Sequence, residues 1–236
     1  MKVYYFSEFP YHEYPDEEAD KYPSLRLTFP NDLFDPGTAS DLFKRYFDEC
    51  QYVDELGYYG IMINEHHNTP SCMNASCNLT ASVLARITKQ AKLLLLGNIL
   101  PIHEHPVRLA EDVVTLDIVS KGRVTVGVGL GYQQADFDAF GVNMSDRVEL
   151  FEEKVDILGK CWAGEEFSYD GKHHKIENLT VRAAPIQKPT PPLWIGASAP
   201  VSARRAANIA DAIVTTPSTT LDNTVKLIDH YKQAAV

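Results

Sequence analysis

Two rhythms of apolar residues run along this chain. Nearly continuous apolar runs at Val3–Phe6, Tyr59–Asn64, Leu93–Leu100, Arg123–Gly129, Leu193–Gly196 and Ala212–Thr215 predict strands buried on both faces. Between them, apolar residues recur at helical spacing. Leu42, Phe43, Tyr46, Phe47, Cys50 and Val53 mark one helix, and Leu79, Val83, Leu84 and Ile87 a second that starts near Asn78. A third follows Pro106, with Leu109, Val113 and Leu116 inward. A fourth starts at Asp146, where Glu149 three residues on suggests a capping box, and buries Val148, Phe151, Val155, Leu158 and Trp162.

Strand–helix alternation implies a parallel sheet with right-handed crossovers, either an open doubly wound sheet or most of an eight-unit barrel. No repeat interrupts the single domain, residues 1–236. Two long excursions do: residues 8–37, rich in Pro and Tyr, and residues 163–192, where Tyr169-Asp170-Gly171-Lys172 reads as a hairpin turn. Loops this long are candidate lids.

Composition narrows the partners. The 236 residues are 44% apolar and 23% charged, with net charge −10 and no basic cluster, which argues against nucleic acid and anionic membrane surfaces. No apolar run reaches the roughly 20 residues of a membrane span. Met1–Phe6 has no signal-peptide pattern. Cys50, Cys72, Cys77 and Cys161 form no CxxC pair and read as free thiols in a reducing cytoplasm.

In parallel α/β folds ligands bind beyond the carboxyl ends of strands. Strand two ends in Asn64-Glu65-His66-His67, and strand three in Asn98 and then His103-Glu104-His105. Strand four ends in Gly127-x-Gly129-x-Gly131, and strand five in Gly196-Ala197-Ser198. Polar groups are thus expected at one rim. Glu65, His66 and His67 fit either metal ligation or proton transfer by His66 near neutral pH. His103 and His105 read as a solvated loop. The glycine segment lacks the GxGxxG spacing and lies in the fourth unit, which excludes a Rossmann nicotinamide site. Its glycines fit either packing or close approach of a flat ligand. Ser198 and Ser202 open a helix whose amides suit a phosphate, although Ser198 also fits a simple N-cap. Arg147 opens another helix, where an arginine can pair with a phosphate bidentately, although a lone surface arginine is usually solvated.

Four ordered blocks, "NEHH" (64–67), "HPVRLAEDVVTLDIVSKGRVTVGVGLG" (105–131), "FGVNMSDRVELFEEKVDIL" (140–158) and "PPLWIGASAP" (191–200), resemble the bacterial luciferase-like family of flavin-dependent monooxygenases. The resemblance implies an α/β fold of the (β/α)8 TIM-barrel type, with about six of eight units present. It implies FMN at the carboxyl-end rim, reduced by a separate flavin reductase, and oxygenation of a small organic substrate by O2 through a flavin hydroperoxide. On it, His66 is the catalytic histidine, supported by Glu65 and His67. Asn98, Gly129 and Gly131 face the flavin, and Arg147, Ser198 and Ser202 hold its phosphate. Arg123 and Asp117 match a structural part, and a non-proline cis peptide is expected near Gly97–Asn98. A homodimer in the cytoplasm is the expected state.

Gly129 and Leu130 stand where luciferase has a reactive cysteine and an arginine, and Ala197 replaces a carboxylate. These departures argue for a non-luminescent branch. With six units against eight, the chain reads as C-terminally truncated, with strand edges left unpaired. Other readings are a deazaflavin-dependent oxidoreductase, a non-catalytic flavin-binding protein and a metal-dependent hydrolase using Glu65, His66 and His67.

Overall fold

The structure is a computed structural model that describes residues 1–25, 27–216 and 219–235. They form two compact units, Met1–Leu95 and Leu96–Val236. All six expected strands are present, with bounds within two residues of those read from the apolar runs. Among the described residues no helix is long and apolar enough to cross a membrane.

The first unit comprises β1 (Tyr4–Ser7), the short α1 (Asp16–Ala19), α2 (Pro36–Glu55), β2 (Gly60–Ile63), α3 (Cys77–Ile87) and the first half of β3 (Lys92–Ile99). β1 pairs parallel with β2, and β2 with β3, so that Ile61 and Ile63 lie beside Leu93 and Leu95, all essentially buried. α2 starts where Asp35 accepts the amide of Thr38 at 2.6 Å and Pro36 takes the first helical position. Its expected stripe holds: Leu42, Tyr46, Cys50 and Val53 are buried. Phe9 inserts fully among Tyr46, Phe43 and Phe47, with ring centroids 4.9, 6.0 and 5.7 Å away.

α3 departs from its expected stripe. Leu79 and Val83 point outward, 73% and 40% exposed, while Asn78, Thr80, Ala81, Leu84 and Ala85 are buried. The inward polar groups have partners: Thr80 Oγ1 donates to Asn74 Oδ1 at 2.6 Å. Satisfied polar groups cost little to bury, and small side chains let the helix approach closely, so partner geometry overrides hydrophobic phase.

Asp54, near the end of α2, is buried and accepts the amides of Lys89 (2.7 Å), Gln90 (3.0 Å) and Ala91 (2.6 Å), which lead into β3. One carboxylate thereby fixes where the strand begins.

The second unit continues β3 and adds α4 (Pro106–Ser120), β4 (Val124–Gly129), α5 (Gln134–Ala139), α6 (Arg147–Ala163), β5 (Phe167–Asp170), β6 (Lys175–Leu179), β7 (Leu193–Gly196), α7 (Pro200–Ile209), β8 (Ala212–Val214) and α8 (Leu221–Ala234). β4, β7 and β8 are parallel neighbours in that order. α8 follows β8 and completes the sixth strand–helix unit; Val236 lies outside the described residues. Trp162 Nε1 on α6 donates to the Ala110 carbonyl on α4 at 3.3 Å. Asp117 repeats the role of Asp54. Fully buried on α4, it accepts the amides of Ile186 (2.6 Å) and Gln187 (3.1 Å) on the approach to β7.

The expected capping box at Asp146 does not form. A 3-10 turn, Met144–Asp146, runs straight into α6, so Asp146 already has helical backbone (φ −87°, ψ −1°) and cannot cap. Glu149 instead accepts from Lys172 Nζ and lies 3.4 Å from His173 Nε2. The antiparallel pair β5–β6 is the hairpin read from Tyr169–Lys172. Its turn docks on Glu153 of α6, which accepts the amides of Lys172 (2.6 Å), His173 (3.1 Å) and His174 (3.2 Å) and lies 3.2 Å from His174 Nδ1.

Two predictions follow from these carboxylates. Asp54→Ala leaves the amides entering β3 without acceptors and lowers stability by about 2–3 kcal/mol, read by urea denaturation. The hairpin turn is acid-labile. Burial, aided by Lys154 and His105, lowers the His174 pKa from 6.5 against the opposing pull of Glu153. Burial alone would raise Glu153, but hydrogen bonds from His174, His173 and Lys172 hold it below 4.5. Both folded values lie below the unfolded ones, so this stability is complete above pH 6.5. It is lost as pH falls through the folded values of His174 and Glu153. Hydrogen exchange at Lys172–His174 should therefore lose protection below pH 6.5 as the solution is acidified, while amides in β4 keep theirs.

Candidate active site

In the first unit, β2 delivers Asn64-Glu65-His66-His67 directly beyond Ile63. The three predicted catalytic residues are thus side by side, but their surroundings differ. Glu65 is 5% exposed; its Oε2 accepts the Cys77 amide at 3.2 Å and its Oε1 lies 3.4 Å from His67 Nε2. Ser76, the N-cap of α3, makes no side-chain cap bond, so the Glu65 carboxylate supplies the acceptor that the helix start needs. Burial first, and then the charge of Glu65, push the Cys77 thiol pKa up. Burial raises Cys50 to about 12 and Cys161 to about 11, and all four cysteines are free and buried.

The His66 side chain is only 13% exposed, and its amide donates to the Asn74 carbonyl at 3.2 Å. Its Nδ1 is buried and has no hydrogen-bond partner among the described residues. A buried imidazole nitrogen left open in this way is what a bound redox ring or its substrate would satisfy. Among the described residues no group of three His, Cys, Asp or Glu side chains is placed to share a metal ion.

The other predicted residues belong to the second unit. Asn98 is fully buried on β3, and its Nδ2 donates to the Gly127 carbonyl at 3.4 Å. The cis peptide falls one residue before the expected step, at Leu96–Gly97. Gly129 has open space, since an added Cβ would meet nothing nearer than the Gly131 amide at 4.0 Å. Gly131 has a packing reason of its own. Its φ is +74°, and a Cβ would lie 2.8 Å from Ile99 and 2.9 Å from Phe137.

Arg147 is half-buried at the start of α6, with one guanidinium nitrogen donating to the Met144 carbonyl at 3.0 Å. Ser198 is exposed and does not cap α7; Ala199 is the N-cap. The Ser202 hydroxyl closes that turn, donating to the Ala199 carbonyl (2.7 Å) and accepting the Ala199 amide (3.1 Å). His105 is exposed, as expected of a solvated residue, but it also has a structural task. It caps α4 by accepting the Val107 amide at 3.3 Å, because Pro106 at the next position leaves Val107 as the first free donor.

Two residues escaped the sequence reading. Lys154, 2% exposed, donates from α6 to the carbonyls of Pro101 and His103 and so holds the segment beyond β3; burial lowers its pKa to about 8. A lysine inside the apolar stripe of Phe151, Val155 and Leu158 was the available signal. The second is Glu8, at the tip of β1, whose Oε1 accepts from Asn64 Nδ2 at 2.8 Å.

The chain belongs to the luciferase-like monooxygenase family, matched over residues 28–236. It is 35% identical over 158 residues to protein y4wF of Sinorhizobium fredii (strain NBRC 101917 / NGR234), covering 67% of this chain and 46% of that protein. It is 26% identical over 203 residues to the oxygenase component of the flavin-dependent trigonelline monooxygenase of Acinetobacter baylyi (strain ATCC 33305 / BD413 / ADP1), covering 85% of this chain and 56% of that one. Monooxygenase RslO1 from Streptomyces bottropensis shares the fold, with a TM-score of 0.81 at 24% identity over 100% of this chain and 66% of its own. The fold class is therefore the α/β barrel type of this family, with six parallel strands. The chain spans about half the length of the curated relatives it matches. Other similar proteins include an F420-dependent glucose-6-phosphate dehydrogenase and the oxygenating constituent of a Baeyer-Villiger monooxygenase in complex with FMN.

Glu65 thus has two tasks, capping α3 and pairing His67. Glu65→Ala should lower stability by about 1–2 kcal/mol in thermal or urea unfolding, with protection lost first at the start of α3.

Proposed function

We propose that this chain acts in a two-component FMN-dependent monooxygenase, which takes reduced FMN from a separate flavin reductase and uses O2 to oxygenate a small organic substrate, as a homodimer in the cytoplasm. The observation that carries the reading is the buried, unpartnered Nδ1 of His66 at a strand tip. Membership of a family whose relatives include a flavin-dependent oxygenase component supports it.

Reduced FMN, when bound, would supply the activation of O2. The chain's own residues have simpler tasks. His66 holds or takes a proton at Nδ1 in a site with little water, where a stray proton would divert the chemistry. Glu65 and His67 fix the strand tip that carries it. In the second unit Gly129 would leave room for a flat ring, and Asn98 carries a buried side-chain amide. Arg147 and the start of α7, with Ser198 and the turn closed by Ser202, would hold the phosphate through charge and first-turn amides.

A second reading, an F420-dependent oxidoreductase that transfers hydride, is favoured by relatives that use that cofactor. The same phosphate groups would serve it.

Anaerobic titration with reduced FMN and, separately, with reduced F420, followed by admission of oxygen, tests the proposal. Binding of reduced FMN and oxygen uptake coupled to substrate oxygenation are expected. His66→Ala should lower the coupled rate by about 10²–10⁴-fold while leaving binding largely intact. Binding of F420 without oxygen uptake would favour the second reading, and failure to bind either would overturn both.

A further inference from the structure

His66 follows Glu65 in the chain and has a second carboxylate, Glu8, within ion-pair reach. Glu65 is taken up by the Cys77 amide and by His67. Glu8 Oε1 lies 3.7 Å from His66 Nε2, within ion-pair reach, and is held there by Asn64 Nδ2 at 2.8 Å. Asn64 is itself 7% exposed, and its Oδ1 accepts from Cys72 Sγ at 3.5 Å.

The backbone at Glu8 is also fixed. Phe9, the next residue, has φ +49°, a conformation that a bulky side chain adopts only when its surroundings impose it. Here the fully buried ring stacks on Tyr46, the Phe9 amide donates to Ser7 Oγ at 3.3 Å, and the Phe9 carbonyl accepts the Met73 amide at 2.9 Å. The same loop reaches the histidine, since the carbonyl of Asn74 accepts the His66 amide. One short segment, residues 72–74, therefore registers both the carboxylate and the imidazole.

We propose that Glu8 is a positioning residue for His66: it keeps the proton of the neutral imidazole on Nε2 and so makes the unpartnered Nδ1 the basic atom. The logic is that of a carboxylate behind a histidine, which fixes the tautomer and strengthens the far nitrogen as a base. Glu8 Oε1 stands at ion-pair distance from Nε2, while Glu65 Oε1 lies beside His67 and its Oε2 accepts the Cys77 amide. The catalytic consequence rests on the proposed role of His66; the tautomer does not.

The test uses the cofactor-free chain, so its failure is separable from failure of the flavin reading. Nitrogen-15 NMR of the neutral His66 ring should show Nε2 as the protonated nitrogen and Nδ1 as the bare one. Glu8→Ala should give shifts averaged between the two tautomers. Glu8→Gln, which keeps an acceptor of the same shape and protects the fold, should retain the Nε2–H form. A wild-type protein with the proton on Nδ1 would overturn the proposal, as would a folded Glu8→Ala variant whose His66 ring shifts match the wild type.

Discussion

Buried backbone amides must find acceptors, and in this protein carboxylates far away in sequence supply several of them. Asp54 takes three amides at the entrance to β3, Asp117 two on the approach to β7, Glu65 the first amide of α3 and Glu153 three in the hairpin turn. A parallel sheet cannot be joined by tight hairpins, so each strand arrives from a long crossover with nothing local to register it. A carboxylate near the end of an earlier helix does that work in each unit, Asp54 on α2 for β3 and Asp117 on α4 for the approach to β7. It accepts several bonds at once, and each is strengthened by its charge.

The same device shapes the candidate site. Glu65 ties the tip of β2 to the start of α3, which leaves the adjacent His66 on a rigid segment with one ring nitrogen open. Rigid support and an unsatisfied polar atom rarely coincide unless something else satisfies that atom, because a buried orphan costs stability. Glu8 and Asn64 add a second layer behind the ring, and the strained backbone at Phe9 shows that the surroundings hold that layer in place. In the second unit Lys154 performs the equivalent holding task for the segment after β3, at the cost of burying an amine whose pKa falls to about 8.

The six strands were legible as continuous apolar runs; β2, β3 and β4 are buried on both faces as expected, whereas β1 and β8, at the two ends of the strand order, are only partly buried. α2, α4 and α6 were legible from one-sided apolar stripes. α3 was not, because its inner face is built from Asn78, Thr80 and alanines whose partners come from elsewhere in the chain. The starts of α6 and α7 were misread for a related reason. Asp146 and Ser198 are good capping types, but a 3-10 turn leaves Asp146 without a side-chain cap bond, and a one-residue offset puts Ala199 rather than Ser198 at the cap of α7.

By itself the sequence determined the order of strands and helices, the family, and the placing of Glu65, His66 and His67 at a strand tip, since all of these follow from local pattern and contiguous motifs. Only the tertiary structure decided which carboxylate serves which partner: Glu65 for α3 and His67, Glu8 for Asn64 and the Nε2 side of His66, Glu149 and Glu153 for the hairpin rather than for a cap. A side chain's identity fixes what it can bond to. Which donor reaches it depends on segments brought together from 12 to 70 residues away, and no local pattern records that.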